Sequence, residues 1–573
     1  MDQMNVIQKK VDVLPMVKFY MDQLHLHALF SKYVERPKCC PVDPGQILSI
    51  MVANIVCESQ PLYKIEHWAA EYMDGLSEYI ENAADYNDDQ LGKNLDRLFK
   101  ADRNSLMLEL SANAIAIHEL QTDQIHNDST SITFQGEYKN EDASAVKLKH
   151  GFNKDHRPDC KQIIFGLNIT ADGNVPLFFE LFDGNRTDDT THIPNWNALR
   201  KFLDKETFVY IADCKLCSEK NLDHIHQHDG IFISIIPKNR KEVKKFYEFL
   251  KTNRIEWQYA YETPNSRKKN EIVTYKTYEG EKSKNGYRII WVHSSAKELQ
   301  DRKRRENRIA KAESRLSELC PRLNRYKLKT KQQIETAIKK ATKGTYDLFQ
   351  IKLIEDKQTT RRQIGAGKPG PNTRYKDVET ISYRLKWELN KKAIADLAVR
   401  DGIFPLITNA GFEAARVLKA YKNQPYLEKR MYTTKSILNV APVFLKKPKR
   451  IEAITFLYFI ALMIVSLMER NIRKNMAEEK IDKLPILPAG MKTKKPTWNN
   501  LKYFFSNIHL SLIQKGGKTI QSILKGVTEL HETVLRLLGV ALSAYSSIQN
   551  NWWLFENANS ANTGLNIIPT TTY

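Results

Sequence analysis

Glu428 and Lys435 stand seven residues apart, with Gln424 four residues before the Glu and Tyr421 seven before it. On a helix of 3.6 residues per turn these offsets share one face. That face offers a carboxylate, an ammonium, an amide and a phenol to one ligand. A metal-bound phosphodiester suits the first two: the carboxylate holds the cation and the ammonium meets a phosphate oxygen. Glu and Lys at helical spacing also make ordinary solvated surfaces, so the pattern gains meaning only from its company.

Two upstream acids supply that company. Asp128 lies in the strand-like run Ile125 to Gln135, between Asn127 and Ser129, and Asp213 ends the apolar run Thr207-Phe-Val-Tyr-Ile-Ala. Acids at the carboxyl ends of adjacent strands point into the crevice where α/β sheets bind ligands. Three carboxylates meeting there repel one another unless a divalent cation neutralises them, and oxygen donors select Mg²⁺ or Mn²⁺. Two such ions roughly 4 Å apart activate a water and stabilise the leaving oxygen of a phosphodiester. Taken singly, Asp128 also reads as a turn acid and Asp213 as a cap for the next helix. Asp123, Asp183 and Asp188 are rival acids in the same region.

The chain that must position these groups has 573 residues, 42% of them hydrophobic and 10% aromatic, which is globular rather than disordered composition. Its net charge of +21 favours a polyanionic partner, nucleic acid before an acidic membrane. Seven scattered cysteines, an odd count, point to reduced thiols in a cytoplasm. Cys214-x-x-Cys217 has His224, His226 and His228 nearby, but no second pair completes a usual zinc site. The apolar run Ala453 to Met468 is short for a bilayer span, which takes about 20 residues, and reads as a buried core helix. No membrane partner is expected.

Periodicity divides the chain. Residues 1–120 read as helices, a candidate DNA-binding domain. Residues 121–237 hold Ile163 to Thr170 and Val175 to Phe182 around the turn Ala171-Asp-Gly-Asn174, then a helix and further strands. Residues 238–400 form an α+β insertion. Its run Ile364-Gly-Ala-Gly-Lys-Pro-Gly-Pro371 lacks the Gly-Lys-Ser/Thr end of a P-loop and reads as a plain loop. Residues 401–470 return to the sheet with the Glu428 helix. Residues 471–573 read as a basic linker, C-terminal helices and a disordered tail. The fold class is therefore α/β: a mixed sheet core with an α+β insertion, flanked by helical N- and C-terminal regions.

These landmarks resemble DDE-class insertion-sequence transposases with a ribonuclease-H-like core. The similarity is greatest to the insertion-sequence-four superfamily, whose late helix carries Tyr-x2-Arg-x3-Glu-x6-Lys. Here that reads Tyr421, Gln424, Glu428 and Lys435, with Gln at the Arg position. Asp128-Ser-Thr, His150-Gly-Phe-Asn-Lys-Asp-His-Arg-Pro-Asp159, Phe182-Asp-Gly-Asn-Arg186 and Tyr210-Ile-Ala-Asp213 precede it in matching order. Residues 1–120 resemble the helical N-terminal domain of one branch.

The resemblance implies that Asp128, Asp213 and Glu428 are the catalytic triad binding two Mg²⁺, with Mn²⁺ as a substitute. It implies that Tyr421, Gln424 and Lys435 meet DNA, although Gln lacks the guanidinium of Arg. It further implies double-stranded DNA as partner, both transposon ends and target, a homodimer in the synaptic complex, and a prokaryotic, nucleoid-associated location. The activity implied is cleavage at the element's ends and joining of the 3′ hydroxyls to target DNA. Two other readings share the motifs: a metal-dependent nuclease that does not join, and an inactive DNA-binding repressor. A tyrosine recombinase would need Tyr421 or Tyr432 as nucleophile among phosphate-polarising Arg and His residues, which the sequence does not place there.

Overall fold

The computed structural model describes residues 4–38, 42–72, 83–138, 143–152, 157–204, 207–265, 271–433, 445–516 and 518–550. They belong to two compact units, Met1–Ser234 with Lys419–Tyr573, and Ile235–Leu418.

The first unit is built on five strands: β1 Gln124–Phe134, β2 Lys161–Thr170, β3 Pro176–Asp183, β4 Val209–Ala212 and β5 Ile231–Ile235. Their order is β3-β2-β1-β4-β5. The first three are antiparallel, β4 runs parallel to β1, and β5 parallel to β4. β2 is buried at nearly every position, as a strand covered on both faces must be. The β2–β3 turn is closed by Gly173 and Asn174, both left-handed at φ 74° and 58°. A Cβ on Gly173 would stand 2.5 Å from the Arg470 side chain, so this position is closed to larger residues twice over.

One face of the sheet is covered by the helix His192–Leu203, through Asn168–Asn195 hydrogen bonds and the Phe178–Phe202 contact. On the other face lies the helix Pro448–Glu478, whose Phe456 and Phe459 rings sit 5.8 and 4.8 Å from that of Phe179. This helix has 31 residues, far beyond the apolar run that announces it. By length and composition it could cross a membrane, yet its apolar window is wholly buried within the protein. Polar residues join its buried surface because each meets a partner: Arg450 with Asp96 at 2.8 Å, Glu452 with Arg103 at 3.0 Å, Glu469 with Arg430 at 2.8 Å and Arg470 with Asp172 at 2.6 Å.

Three sequence expectations need correction. Residues 1–120 do not stand apart from the sheet; they lie in the same unit, where the Ser111 hydroxyl donates to the Leu177 carbonyl at 2.7 Å. Nor are the two terminal regions all helical. Met4–Lys10 pairs antiparallel with His509–Lys515, which pairs with Lys518–Lys525. Partners some 500 residues apart leave no trace in a local window, so short amphipathic runs there read as helix. Finally, residues 471–500 are not a free linker. The long helix continues to Glu478, and Arg473 donates to the Pro496 carbonyl at 2.6 Å.

The second unit contains β6 Gln258–Pro264, β7 Ile272–Glu279, β8 Arg288–Ser294, β9 Phe349–Gln363, β10 Tyr375–Leu389 and β11 Ile403–Thr408. Four of these form an antiparallel run, β11-β8-β7-β6. β11 pairs antiparallel with β8. β9 and β10 form a separate hairpin of 15 residues a side. Its base packs Phe349, Leu385 and Tyr383 against Leu316, Ile334 and Ile338 of the helices Ser295–Leu319 and Lys331–Ala341. The chain re-enters the first unit at Lys419, in the last turn of the helix Ala414–Tyr421.

Removing one partner of the buried Arg430–Glu469 pair leaves the other charge uncompensated. We expect Glu469→Ala to cost about 3–5 kcal/mol in urea unfolding, and Arg430→Met with Glu469→Leu to cost less than either single change.

Candidate active site

β1 sets the first acid. Asn127 pairs with Ala212 across the parallel β1–β4 ladder, so Asp128 and Asp213 follow at neighbouring positions on adjacent strands. Asp213 ends a strand of four residues. Asp128 does not end its strand: β1 runs on for six residues, paired only with β2, which corrects the expectation of two strand ends. Both acids are half-buried. Asp128 Oδ1 accepts from the Ser129 N–H at 2.8 Å, and Asp213 Oδ1 from the Lys215 N–H at 2.9 Å. The Asp213 carbonyl also receives the Ser234 hydroxyl at 2.7 Å, which fixes the chain as it leaves the sheet.

The late helix differs from the expected single face. Ala414–Tyr421 and Gln424–Tyr432 are separate helices, broken at Lys422–Asn423. Pro425 in the first turn of the second explains the break: its ring disfavours a continuous helix through the residues before it, and it brings no N–H to bond back. Glu428 is exposed on the second helix. Tyr421, closing the first, still faces the acids. Burial, then the charges of Asp213, Cys214, Glu428 and Asp128, push its phenol well above the usual range. Lys435 lies outside the described residues.

Gln424 is turned inward and is not available to DNA. It is 9% exposed, its Oε1 lies 3.0 Å from His126 Nδ1, and its Nε2 donates to the Asn127 carbonyl at 2.9 Å. Since Oε1 can only accept, His126 Nδ1 donates to it. Burial holds His126 down to about 4 from its ordinary 6.5, a lowering that Gln424 partly opposes. This clamp ties the Glu428 helix to the two residues before Asp128. Sequence reasoning missed His126 altogether, although a polar residue inside an apolar strand run was the available signal.

A second buried network supports β1 from the opposite face. Asn127 donates to Asn168 Oδ1 at 3.0 Å, Asn168 to Asn195 Oδ1 at 2.8 Å, and Asn195 to the Tyr210 hydroxyl at 3.0 Å. His192 Nδ1 meets the same hydroxyl at 3.2 Å, and burial lowers its imidazole to about 4. Asp188, one of the rival acids, approaches this side: it accepts from Ser129 Oγ at 2.8 Å. Asp183 sits farther along β3 with Lys149 at 3.2 Å. A cleft of about 860 Å³ lies by that end of β3, lined by Val146, Glu180, Arg186 and Glu452 and by none of the three acids. Burial raises Glu180 there to about 7 against the opposing charge of Arg186.

The donor chemistry of Asp128, Asp213 and Glu428 suits a hard divalent cation. Their spacing is open: among the described residues, no group of three or more His, Cys, Asp and Glu side chains is close enough to hold a metal ion. The same holds for the Cys214, Cys217 and His224 neighbourhood.

Residues 6–112 match the family model described as a domain of unknown function, DUF4277. No curated protein matches the chain. A solved piggyBac transposase synaptic complex with hairpin DNA aligns over 99% of this chain and 89% of its own, at 8% identity and a TM-score of 0.37. A likeness that distant carries no argument.

Two outcomes follow from the clamp. Gln424→Ala strands a buried imidazole N–H and the Asn127 carbonyl, and should cost about 1–3 kcal/mol in denaturant melts. His126 and His192 stay neutral in the folded chain to about pH 4 but take up protons near 6.5 when unfolded. Their contribution to stability is therefore complete above pH 6.5 and lost as pH falls toward 4, so the melting temperature should drop across that window.

Proposed function

We propose that this protein is a DNA transposase of the DDE class. It cleaves phosphodiester bonds at the ends of its own element and joins the freed 3′ hydroxyls to target DNA. The observation that carries the reading is the parallel pairing of β1 with β4, which sets Asp128 and Asp213 at neighbouring positions on adjacent strands, with Glu428 on the helix that Gln424 clamps to β1. The strand order β3-β2-β1-β4-β5, antiparallel then parallel, is the arrangement expected of a ribonuclease-H-like core. The match of residues 6–112 to DUF4277, a domain found in transposase-like proteins, is in keeping with it. So is a net charge of +21, which gives DNA binding a strong salt dependence.

In this reading the three acids, once drawn together by a ligand, would hold Mg²⁺, or Mn²⁺ in its place. When bound, the metal supplies charge neutralisation for a phosphodiester and its leaving oxygen. The rest falls to the chain's own residues. The Ser129 and Lys215 N–H groups orient the two strand acids. Gln424 and neutral His126 hold the helix of the third acid against β1. Glu428, being exposed on its helix, is free to move toward the other two when a ligand arrives. Tyr421 and Lys435 are assigned to DNA contact. Gln424 is a positioning residue. The working unit is a homodimer that brings two ends together, in a prokaryotic cytoplasm with the nucleoid.

The test is cleavage and joining of DNA carrying the element's own ends, with Mg²⁺, wild type beside Asp128→Ala, Asp213→Ala and Glu428→Ala. Each variant should lose at least about a thousandfold in rate while still binding DNA, an effect of the size expected when a group acting on the transition state is removed. Cleavage without joining in the wild type would make the protein a nuclease. Binding without cleavage would make it a repressor.

A further inference from the structure

The β9–β10 hairpin is far longer than its packing requires. Its hydrophobic base ends near Leu353 and Leu385. The ladder then continues for ten more residues on each strand, roughly 33 Å at 3.3 Å per residue, with most side chains exposed beyond Tyr383. Nothing apolar in that stretch explains its length.

Register sorts the side chains of this ribbon into two unlike faces. Residues directly opposite in an antiparallel pair share a face, and alternate residues along a strand do too. The face continuous with the packed base carries Lys357, Thr359 and Arg361 opposite Ile381, Glu379 and Asp377. Its charges are balanced and internally satisfied: Lys357 pairs with Glu379 at 3.4 Å, and Arg361 stacks on Tyr375 at 5.3 Å. The opposite face carries Gln358, Thr360 and Arg362 against Thr380, Val378 and Lys376. The Ile364 N–H bonds to the Arg374 carbonyl at 2.7 Å, so the pairing continues and brings Arg374 onto the same face. Beyond the Asp356–Arg384 pair this second face holds no acid. It presents three cations and three side chains able to donate and accept hydrogen bonds.

Resting on the reading of the protein as a DNA transposase, we infer that this ribbon is a DNA arm whose acid-free face enters the major groove of duplex DNA. A two-stranded ribbon fits that groove. Arg362, Arg374 and Lys376 meet phosphates or guanine edges, and Gln358, Thr360 and Thr380 supply the directional hydrogen bonds. The balanced face is turned away from the polyanion. The Gly-Ala-Gly-Lys-Pro-Gly loop at 365–370 is then the tip of the arm rather than a nucleotide cradle.

The test uses the full chain and compares two sets of exposed substitutions. Arg362→Gln, Arg374→Gln and Lys376→Gln together neutralise the acid-free face. Lys357→Gln with Arg361→Gln removes cations from the other. Binding to a duplex is measured by fluorescence anisotropy between about 50 and 200 mM salt. The triple variant should bind at least about tenfold more weakly, with a log–log salt slope shallower by up to about 3, because each lost phosphate contact removes about 0.9. The control should lose less than about threefold. Equal losses in the two variants would mean a general charge effect and overturn the inference. Unchanged DNA binding with loss of self-association in the triple variant would make the face a protein interface, and also overturns it. Failure of the wild type to bind any duplex would instead remove the functional reading on which the inference rests.

Discussion

Arg430 is almost fully buried, and its guanidinium joins the helix of Glu428 to the long helix and to the β2–β3 turn. It pairs with Glu469 of the long helix at 2.8 Å and donates to the carbonyls of Gly173 and Asn174 at 3.0 and 2.9 Å. Thus the helix of Glu428, the β2–β3 turn and the helix beneath the sheet are joined at one residue. Burial lowers the guanidinium from its ordinary range, a lowering that Glu469 partly opposes. Burial likewise raises Glu469, but Arg430 and Arg473 outweigh it and bring the carboxyl below its usual value. Such a pair adds little net stability over apolar packing. What it contributes is geometry: a planar fork with fixed directions allows one position for the helix.

Arg470 repeats the device one residue along the same long helix. It grips Asp172 through two hydrogen bonds of 3.0 and 2.6 Å and reaches the His118 carbonyl at 3.0 Å. The turn therefore receives an arginine from each of two helices, and only Gly at 173 leaves room for the second. The turn's left-handed residues, the two arginines and the polar ends of the long helix are parts of a single arrangement.

The site built on this frame is rigid on one side and open on the other. Asp128 and Asp213 are held by backbone N–H groups and backed by a buried amide network. Glu428 stands exposed on a short helix that begins only after a break at Asn423. The clamp of Gln424 on His126 and Asn127 fixes where that helix starts without fixing its carboxylate. A preorganised pair and an exposed third acid suit the proposed centre, since mutual repulsion keeps three carboxylates apart until positive charge arrives.

Local pattern determined much of this protein. Apolar runs gave away β1 to β4 within a residue or two, Asp-Gly-Asn marked the β2–β3 turn, and an apolar run marked the helix core of residues 453–468. Asp128 and Asp213 stood out in the sequence because a carboxylate within or ending an apolar run is costly and so conspicuous. Other facts depended on partners distant in the chain. The strand Met4–Lys10 exists because His509–Lys515 pairs with it, and no window around either shows the other. Gln424 sits in a position that spacing assigns to DNA, yet His126 and Asn127, some 300 residues earlier, turn it inward. The long helix extends past its apolar run only because Asp96, Arg103, Arg430 and Asp172 wait for its charges. Periodicity records which face of a segment avoids water. It does not record which buried polar groups find one another, and here tertiary structure decided that.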